Sequence, residues 1–149
     1  MKTSRTLSTI ITVIQFVGVA VFLLGIHTMI GVFSTALPSD QQEILPRMGD
    51  PVVIPFTFTP RNEGFLDADL MISISLVGEE NQVLATDQAT VTISAGSTKV
   101  VELELRVSAD EFQQHMMDPD QVTLVTSIRI ATFFDLIRFS NTMTTTGGA

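Results

Sequence analysis

The chain of 149 residues contains no cysteine, tryptophan or tyrosine. Without cysteine it forms neither disulfides nor thiolate metal sites, so a folded domain has to be stabilised by core packing alone. Charge is also absent from one long stretch, because no Asp, Glu, Lys or Arg lies between Arg5 and Asp40. All 16 acidic residues but only six of the eight basic ones follow this stretch, so the remainder has a formal net charge of −10. A surface this acidic repels phosphate groups, and nucleic acid is not an expected partner.

An apolar run of 27 residues, Leu7 to Phe33, fills most of the uncharged stretch. A helix of about 20 residues crosses the hydrocarbon core of a bilayer, so residues 7–33 are predicted to form a transmembrane helix whose partner is the lipid bilayer. The apolar region of a cleaved signal peptide is usually only about 7–15 residues long. The length therefore favours a retained signal anchor, although Ser34-Thr35-Ala36 has the small-x-small pattern of a cleavage site.

The charges that flank the run predict its orientation. Lys2 and Arg5 precede it, whereas the first charges beyond it are acidic. The positive-inside rule then places residues 1–6 in the cytoplasm and the remainder outside, as a single-pass protein of the cell membrane with an extracytoplasmic domain.

Several residues inside the run are unusual for a lipid-facing helix. Gln15 and His27 are expected to reach the membrane interface or to hydrogen-bond a neighbouring helix. Gly18, Gly25 and Gly31 are spaced by seven and six residues rather than by the four of a GxxxG dimer motif. They hint at close packing by another helix.

The hydrophobic period changes to two after a Pro-containing segment, residues 34–50, that is predicted to be a linker. Residues 51–144 predict an all-β domain, an immunoglobulin- or fibronectin-like two-sheet sandwich with one short helix, and residues 145–149 a flexible tail. The short helix is predicted after the capping box Ser108-Ala109-Asp110-Glu111. The predicted inward-facing side chains are Ile54, Phe56, Phe58, Leu70, Ile72, Ile74, Leu76, Val91, Ile93, Val101, Leu103, Leu105, Ile128, Ile130 and Phe139.

These inward-facing residues are numerous enough that the domain, from about residue 50 to 144, is expected to fold alone as a soluble monomer. The connection Phe133-Phe134-Asp135 is less regular, because two adjacent phenylalanines cannot both point inward from a strand. Either they bend the chain into the core, or one of them stays exposed near the membrane as an interfacial anchor.

Two stretches of the predicted domain resemble the water-stress and hypersensitive-response domain, the late-embryogenesis-abundant type 2 family. One is an apolar strand that leads from Phe56 into the turn Asn62-Glu63-Gly64-Phe65; the other is Thr90 to Ser97, a short strand that ends in small residues. The resemblance covers about residues 51–144. The commonest plant form carries Asn-Pro at the turn, whereas Asn62-Glu63-Gly64 is closer to archaeal membrane-anchored relatives. The resemblance implies a β-sandwich with a helix and no catalytic site.

Candidate metal ligands are few and scattered. His115-Met116-Met117-Asp118 contains the ligand types of a copper site. Asp118 and Asp120, and separately Glu63 with Asp67 and Asp69, provide carboxylates suited to Ca²⁺ but lack the spacing of an EF-hand loop. Solvated acidic loops account for them better, so we predict no metal site and no cofactor.

Catalytic patterns are not evident either. The sequence has no Gly-x-Ser-x-Gly elbow and no Gly-rich phosphate loop. We therefore expect a non-catalytic membrane-anchored surface or accessory protein that acts through contacts with unidentified proteins, in envelope stability or stress tolerance. Two alternatives are open: a small subunit of a membrane complex, and a filament subunit. Archaeal pilins and archaellins also join an apolar helix to a β-sandwich, but the glycine that precedes their cleavage site is missing from Thr3-Ser4-Arg5-Thr6-Leu7.

Overall fold

The computed structural model describes residues 2–37, 45–78, 81–116 and 122–146. Strands dominate, and they are accompanied by one long N-terminal helix and one short helix, as predicted. In chain order the elements are α1 (Lys2–Ala36), β1 (Val52–Phe58), β2 (Ala68–Val77), β3 (Val83–Ile93), β4 (Val101–Val107), α2 (Ala109–Met116), β5 (Thr123–Thr132) and β6 (Ile137–Thr146). The predicted tail therefore begins inside β6, and its last three residues, 147–149, lie outside the described part.

The strands form two antiparallel sheets, one of four strands in the order β3-β2-β5-β6 and one of two strands, β1 and β4. Strand β2 is central to the larger sheet, where Leu70 is opposite Val91 of β3 and Ile130 of β5. In the smaller sheet Phe56 is opposite Leu103. Strand β4 lies near β3 and β2, so the smaller sheet covers only that side of the larger one.

Alternating hydrophobicity explains the strand that is predicted most clearly. Leu103 and Leu105 of β4 are buried, whereas Glu102 and Arg106 are exposed, as expected for a strand with one face on a core. Most other predicted inward residues are also buried. Phe139 is an exception at 40% exposure. It lies on β6, the end strand of its sheet, where its ring contacts Phe33 of α1.

The C-terminal turns of α1 belong to the same core as the sheets. Met29, Val32 and Ala36 are buried in one apolar cluster with Ile128 and Ile130 of β5. A two-stranded sheet is too narrow to cover four strands, and α1 contacts β5, β6 and β2 instead. The helix thus replaces the missing part of the second sheet.

This packing corrects two predictions. The predicted linker, residues 34–50, has its first three residues in α1, and residues 38–44 lie outside the described part. The β domain predicted to begin at residue 51 lacks the helical part of its own core. We therefore no longer expect residues 50–144 to fold fully by themselves.

Helix α2 begins at the predicted capping box. The Glu111 N–H donates to Ser108 Oγ at 3.3 Å. The Ser108 hydroxyl donates in turn to Glu111 Oε2 at 2.8 Å, so the glutamate reaches the serine hydroxyl rather than its backbone N–H. The contact still satisfies an N-terminal amide that the helix itself leaves unpaired.

Candidate membrane-anchoring surface and its junction with the β domain

The first part of α1 projects from the rest of the protein as a bare apolar helix. From Leu7 to Leu24 every residue except the half-buried Val21 is exposed. At a rise of 1.5 Å per residue this bare segment is about 27 Å long, close to the roughly 30 Å of a bilayer's hydrocarbon core. By length and composition, Leu7–Ala36 is a candidate membrane span. Gln15 is exposed within the bare segment.

The loop that receives the other end of α1 is organised by Asn62, a fully buried side chain. Its amide nitrogen donates to Leu66 O at 2.8 Å and to Ile93 O at 2.9 Å. Its Oδ1 accepts the Gly64 N–H at 2.9 Å. The Asn62 backbone pairs with the turn after β3, since its N–H donates to Ser97 O and its carbonyl accepts the Gly96 N–H. Every polar atom of this side chain therefore has a partner, which makes its burial tolerable.

Gly64 allows α1 to approach this loop very closely. A Cβ added at Gly64 would lie 2.5 Å from Thr28 Cα and 2.6 Å from Thr28 Cβ. Both distances are well inside van der Waals contact, so no other residue fits here without moving the helix or the loop. Thr28 is fully buried at this contact, and its Oγ1 accepts the Leu66 N–H at 3.4 Å.

Thr35 makes a second polar contact two turns further along the helix. Its Oγ1 accepts the Arg61 N–H at 2.8 Å and lies 3.0 Å from Arg61 O, to which the hydroxyl can donate. Arg61 is also bridged to Thr98 in the antiparallel sense. Thr28 and Thr35 are seven residues apart and therefore share one face of the helix. Together they connect α1 to the backbone of the 61–66 loop.

The glycines of α1 pack against the domain and not against a second helix, as far as the described residues show. A Cβ at Gly25 would lie 3.5 Å from Thr132 Cγ2 and 3.6 Å from Ile137 Cγ1, and one at Gly31 3.6 Å from Glu63 Cβ. Gly18, by contrast, has nothing within 4 Å. The close packing predicted from the glycines is therefore partly correct, but its partners belong to this chain: β5 and β6 at Gly25 and the 61–66 loop at Gly31.

His27 marks the level at which the helix meets the domain. Its ring stacks on that of Phe65, with 6.0 Å between centroids and 29° between planes. Phe33 meets Phe139 edge to face at 5.0 Å. These two aromatic contacts extend the junction on both sides of Thr28 and Thr35. Contacts between aromatic rings stabilise packing of this kind.

The predicted calcium ligands do not converge on one point. Glu63 pairs with Arg61 at 3.4 Å, Asp67 accepts the Ala95 N–H at 3.0 Å, and Asp69 accepts the Thr92 hydroxyl at 2.6 Å. Within the described ranges no three His, Asp or Glu residues are grouped to hold a metal. Asp118, Asp120, Met117 and the side chains of His115 and Met116 lie outside the described part of the chain.

The outer face of the larger sheet, which points away from α1, carries mostly serine and threonine. A shallow groove of about 610 Å³ crosses it. The groove is lined by Met71, Ser73, Gln88, Ser127, Arg129, Arg138, Phe139 and Ser140. Three of its polar side chains are serines and its two arginines are exposed, so it is open to contact with another macromolecule.

Of the junction residues in α1, the sequence singles out His27, Gly25 and Gly31, but not Thr28, Val32 or Thr35. A signal for them exists in α1, where Gly25, Thr28, Val32 and Thr35 recur every three or four residues and form one stripe of small side chains. In a membrane helix such a stripe commonly marks a packing face. Asn62 and Gly64 stand out only as turn residues, and their burial depends on the tertiary structure.

The sequence matches no protein-family model and no curated protein sequence. Part of the chain is similar to solved structures. A β-glucuronidase from Bacteroides uniformis matches 70% of this chain and 12% of its own, with 12% identity and a TM-score of 0.48. A putative β-galactosidase from Bacteroides fragilis matches 68% and 15%, with 14% identity and a TM-score of 0.47. A protein from Archaeoglobus fulgidus matches 72% and 95%, with 12% identity and a TM-score of 0.40.

This chain spans only about an eighth of the glucuronidase and a similar share of the galactosidase. Similarities this weak identify neither a family nor an activity.

Gly64→Ala is expected to destabilise the junction, because the new Cβ meets the backbone of Thr28 and not a movable side-chain tip. Overpacking of this kind costs about 1–3 kcal/mol. The measurement is the free energy of unfolding of the full chain in detergent micelles. Gly18→Ala is the matched control, since the space around Gly18 is open. Equal stability of the two variants would contradict the close contact between α1 and the loop.

Proposed function

We propose that this protein is a non-catalytic, single-pass membrane protein whose immunoglobulin-like β domain lies outside the cell and acts through contacts with other proteins. One observation carries the proposal: α1 is divided into a bare apolar segment and a segment built into the core. The bare segment suits the hydrocarbon interior of a bilayer, and the docked segment ties the domain directly to it.

The docked segment supports a retained anchor over a cleaved signal peptide. Cleavage after Ala36 would remove Thr28, Val32 and Ala36, each of which is fully buried against the domain. The inner face of β5 and β6 would then be exposed to water, at a cost of about 25 cal/mol for each Å² of apolar surface. Because the end of the helix is part of the core, the domain is more stable when the helix is retained.

The proposed orientation rests on charge. Lys2 and Arg5 precede the bare segment, and positive charges are retained on the cytoplasmic side. The β domain, with its excess of acidic residues, then faces the outside, where a high net charge favours solubility.

We propose protein contact as the activity because the accessible face of the domain is an open surface, and its described residues do not form a cluster of catalytic groups. Among the described residues, the candidate acidic ligands are engaged separately in the fold. The Ser/Thr-lined outer face with its shallow groove is the accessible surface that we assign to a partner. A role in envelope stability or stress tolerance follows from the resemblance of the Asn62 turn to the water-stress family.

The orientation can be tested with single cysteines, because the natural chain has none. Gln82→Cys lies at the far end of the larger sheet and Thr3→Cys before the bare segment. A membrane-impermeant maleimide added to intact cells should label Gln82→Cys at once and Thr3→Cys only after lysis. The opposite order of labelling would reverse the proposed topology while leaving the anchor in place.

A filament subunit is the second candidate, and the shape of α1 favours it to some degree. The bare segment is largely apolar, with Ser8, Thr9, Thr12 and Gln15 as its polar side chains, which suits burial in a bundle of like helices as well as in lipid. Ile26 and Ile30 are exposed on the helix beside the domain and could contact a neighbouring subunit. The same two residues fit the third candidate, a small subunit of a membrane complex.

The mass of the native N-terminus separates the filament subunit from the anchored protein. Processing of a filament subunit would remove the basic residues just before the apolar run, whereas a signal anchor keeps Lys2 and Arg5. We expect mass spectrometry of the native protein to find Lys2 and Arg5 present. A mature chain that begins near Leu7, together with filaments seen by electron microscopy, would establish the alternative.

A further inference from the structure

The turn between β5 and β6 has a backbone that its side chains do not favour. Phe133, Phe134 and Asp135 have φ values of 52°, 55° and 64°. The Leu136 N–H donates to Phe133 O at 3.1 Å, which makes Phe134 and Asp135 the central residues of a tight turn. Positive φ at both central positions is the pattern of a type I′ turn, where asparagine and glycine are preferred. Bulky residues in this region are uncommon, so the backbone does not explain the two phenylalanines.

The side chains of this turn are exposed as well as apolar. Phe134 is 92% exposed, Leu136 73% and Phe133 37%. Phe65, on the loop that receives α1, is 69% exposed. We call these four residues, Phe65, Phe133, Phe134 and Leu136, the apolar rim.

Contacts with α1 place the rim next to the bare segment. Phe139 of β6 meets Phe33, and Ile137, two residues closer to the turn, lies beside Gly25. From Phe139 back to the turn, β6 therefore runs alongside α1 in the direction of the N-terminus of the helix. Since the turn lies beyond Ile137, it reaches at least the level at which the bare apolar segment ends at Leu24. Phe65 is at a similar level, because it stacks on His27.

The charge within the turn is balanced. The carboxylate of Asp135 pairs with the guanidinium of Arg138, and Arg138 Nε donates to Asp135 O at 2.9 Å. A paired carboxylate costs less to bring into a poorly hydrated region than a lone one. Arg138 is also long enough to keep its charged end in water or among headgroups while the turn is immersed.

We propose that the apolar rim inserts into the interfacial layer of the bilayer that α1 crosses, so that the β domain rests on the membrane in one fixed orientation. The inference depends on the proposed membrane anchor. We assign lipid as the partner of the rim for two reasons. The rim lies at the height on α1 where the bare apolar segment ends, so the two form one continuous apolar surface. Aromatic and leucine side chains are also suited to the boundary between headgroups and acyl chains. Because α1 packs directly on the domain without a flexible spacer, a helix that spans the bilayer also holds the rim at the membrane surface.

Single tryptophans test the proposal, because the chain has none of its own. Three full-length variants are reconstituted in phosphatidylcholine vesicles with lipids brominated at shallow or deep positions. Phe134→Trp reports on the rim and Phe16→Trp on the bare segment. Val83→Trp, at the opposite end of the larger sheet, is the matched exposed control. Circular dichroism confirms that each variant is folded.

The account predicts a blue-shifted emission of Phe134→Trp with strongest quenching by shallow bromines, quenching of Phe16→Trp by deep bromines, and little quenching of Val83→Trp. A Phe134→Trp emission like that of Val83→Trp, with Phe16→Trp still quenched, would overturn the rim and leave the anchor intact. Blue-shifted emission of Phe134→Trp without bromolipid quenching would also overturn it, and would indicate that the ring is buried against protein, within this chain or a second copy of it. Loss of quenching of Phe16→Trp would refute the anchor itself.

Discussion

The close packing of the end of α1 against the 61–66 loop and the inner face of β5 and β6 is the contact on which the rest of the structure depends. Four strands have to be covered and the second sheet has only two. Val32, fully buried, fills the remaining space together with Met29 and Ala36. Gly64 permits the approach of Thr28. The Asn62 side chain accepts the Gly64 N–H and donates to Leu66 O and Ile93 O, which fixes the loop around Gly64. Removal of the helix end would therefore open the core and would not merely release a tether.

This arrangement makes the anchor and the domain one mechanical unit. A flexible linker would let a domain take many orientations above a membrane. Here the backbone of Arg61 is hydrogen-bonded to Thr35 of the helix, and Phe33 and His27 pack on aromatic residues of the domain. In the proposed membrane-anchored protein, the tilt of the helix in the bilayer determines which face of the domain points away from the membrane. The proposed partner at the outer sheet face would then lie at a defined distance and angle from the bilayer.

Local patterns predicted the elements well, because strands such as β2 and β4 have a clear period of two and α2 has a capping serine. The alternation around Leu103 is one example, and Ser108 with Glu111 is another. What the sequence could not show was where the exposed part of the helix ends and its buried part begins, because Val32 and Met29 are as apolar as the residues that precede them. Hydrophobicity alone does not distinguish a side chain facing acyl chains from one facing a sheet.

The candidate site was predictable only in outline for the same reason. Gly25 and Gly31 indicated close packing, but not that the partners are strands and a loop of the same chain. Asn62 was noticed as part of a turn, while its role depends on Ile93, 31 residues away. The sequence left open whether Phe133 and Phe134 bend into the core or whether one of them stays exposed. The turn with positive φ places the Phe134 ring outward.

The most direct test of the central claim compares two shortened chains in mild detergent, residues 25–149 and residues 45–149. The first keeps the docked part of α1 and should unfold in one cooperative transition in urea. The second loses Met29 and Val32, worth about 1.5–3 kcal/mol each when buried, out of a total stability of about 5–15 kcal/mol. It should be several kcal/mol less stable or lack a cooperative transition. Equal unfolding midpoints for the two chains would contradict the account, because they would show that the β domain does not need the helix.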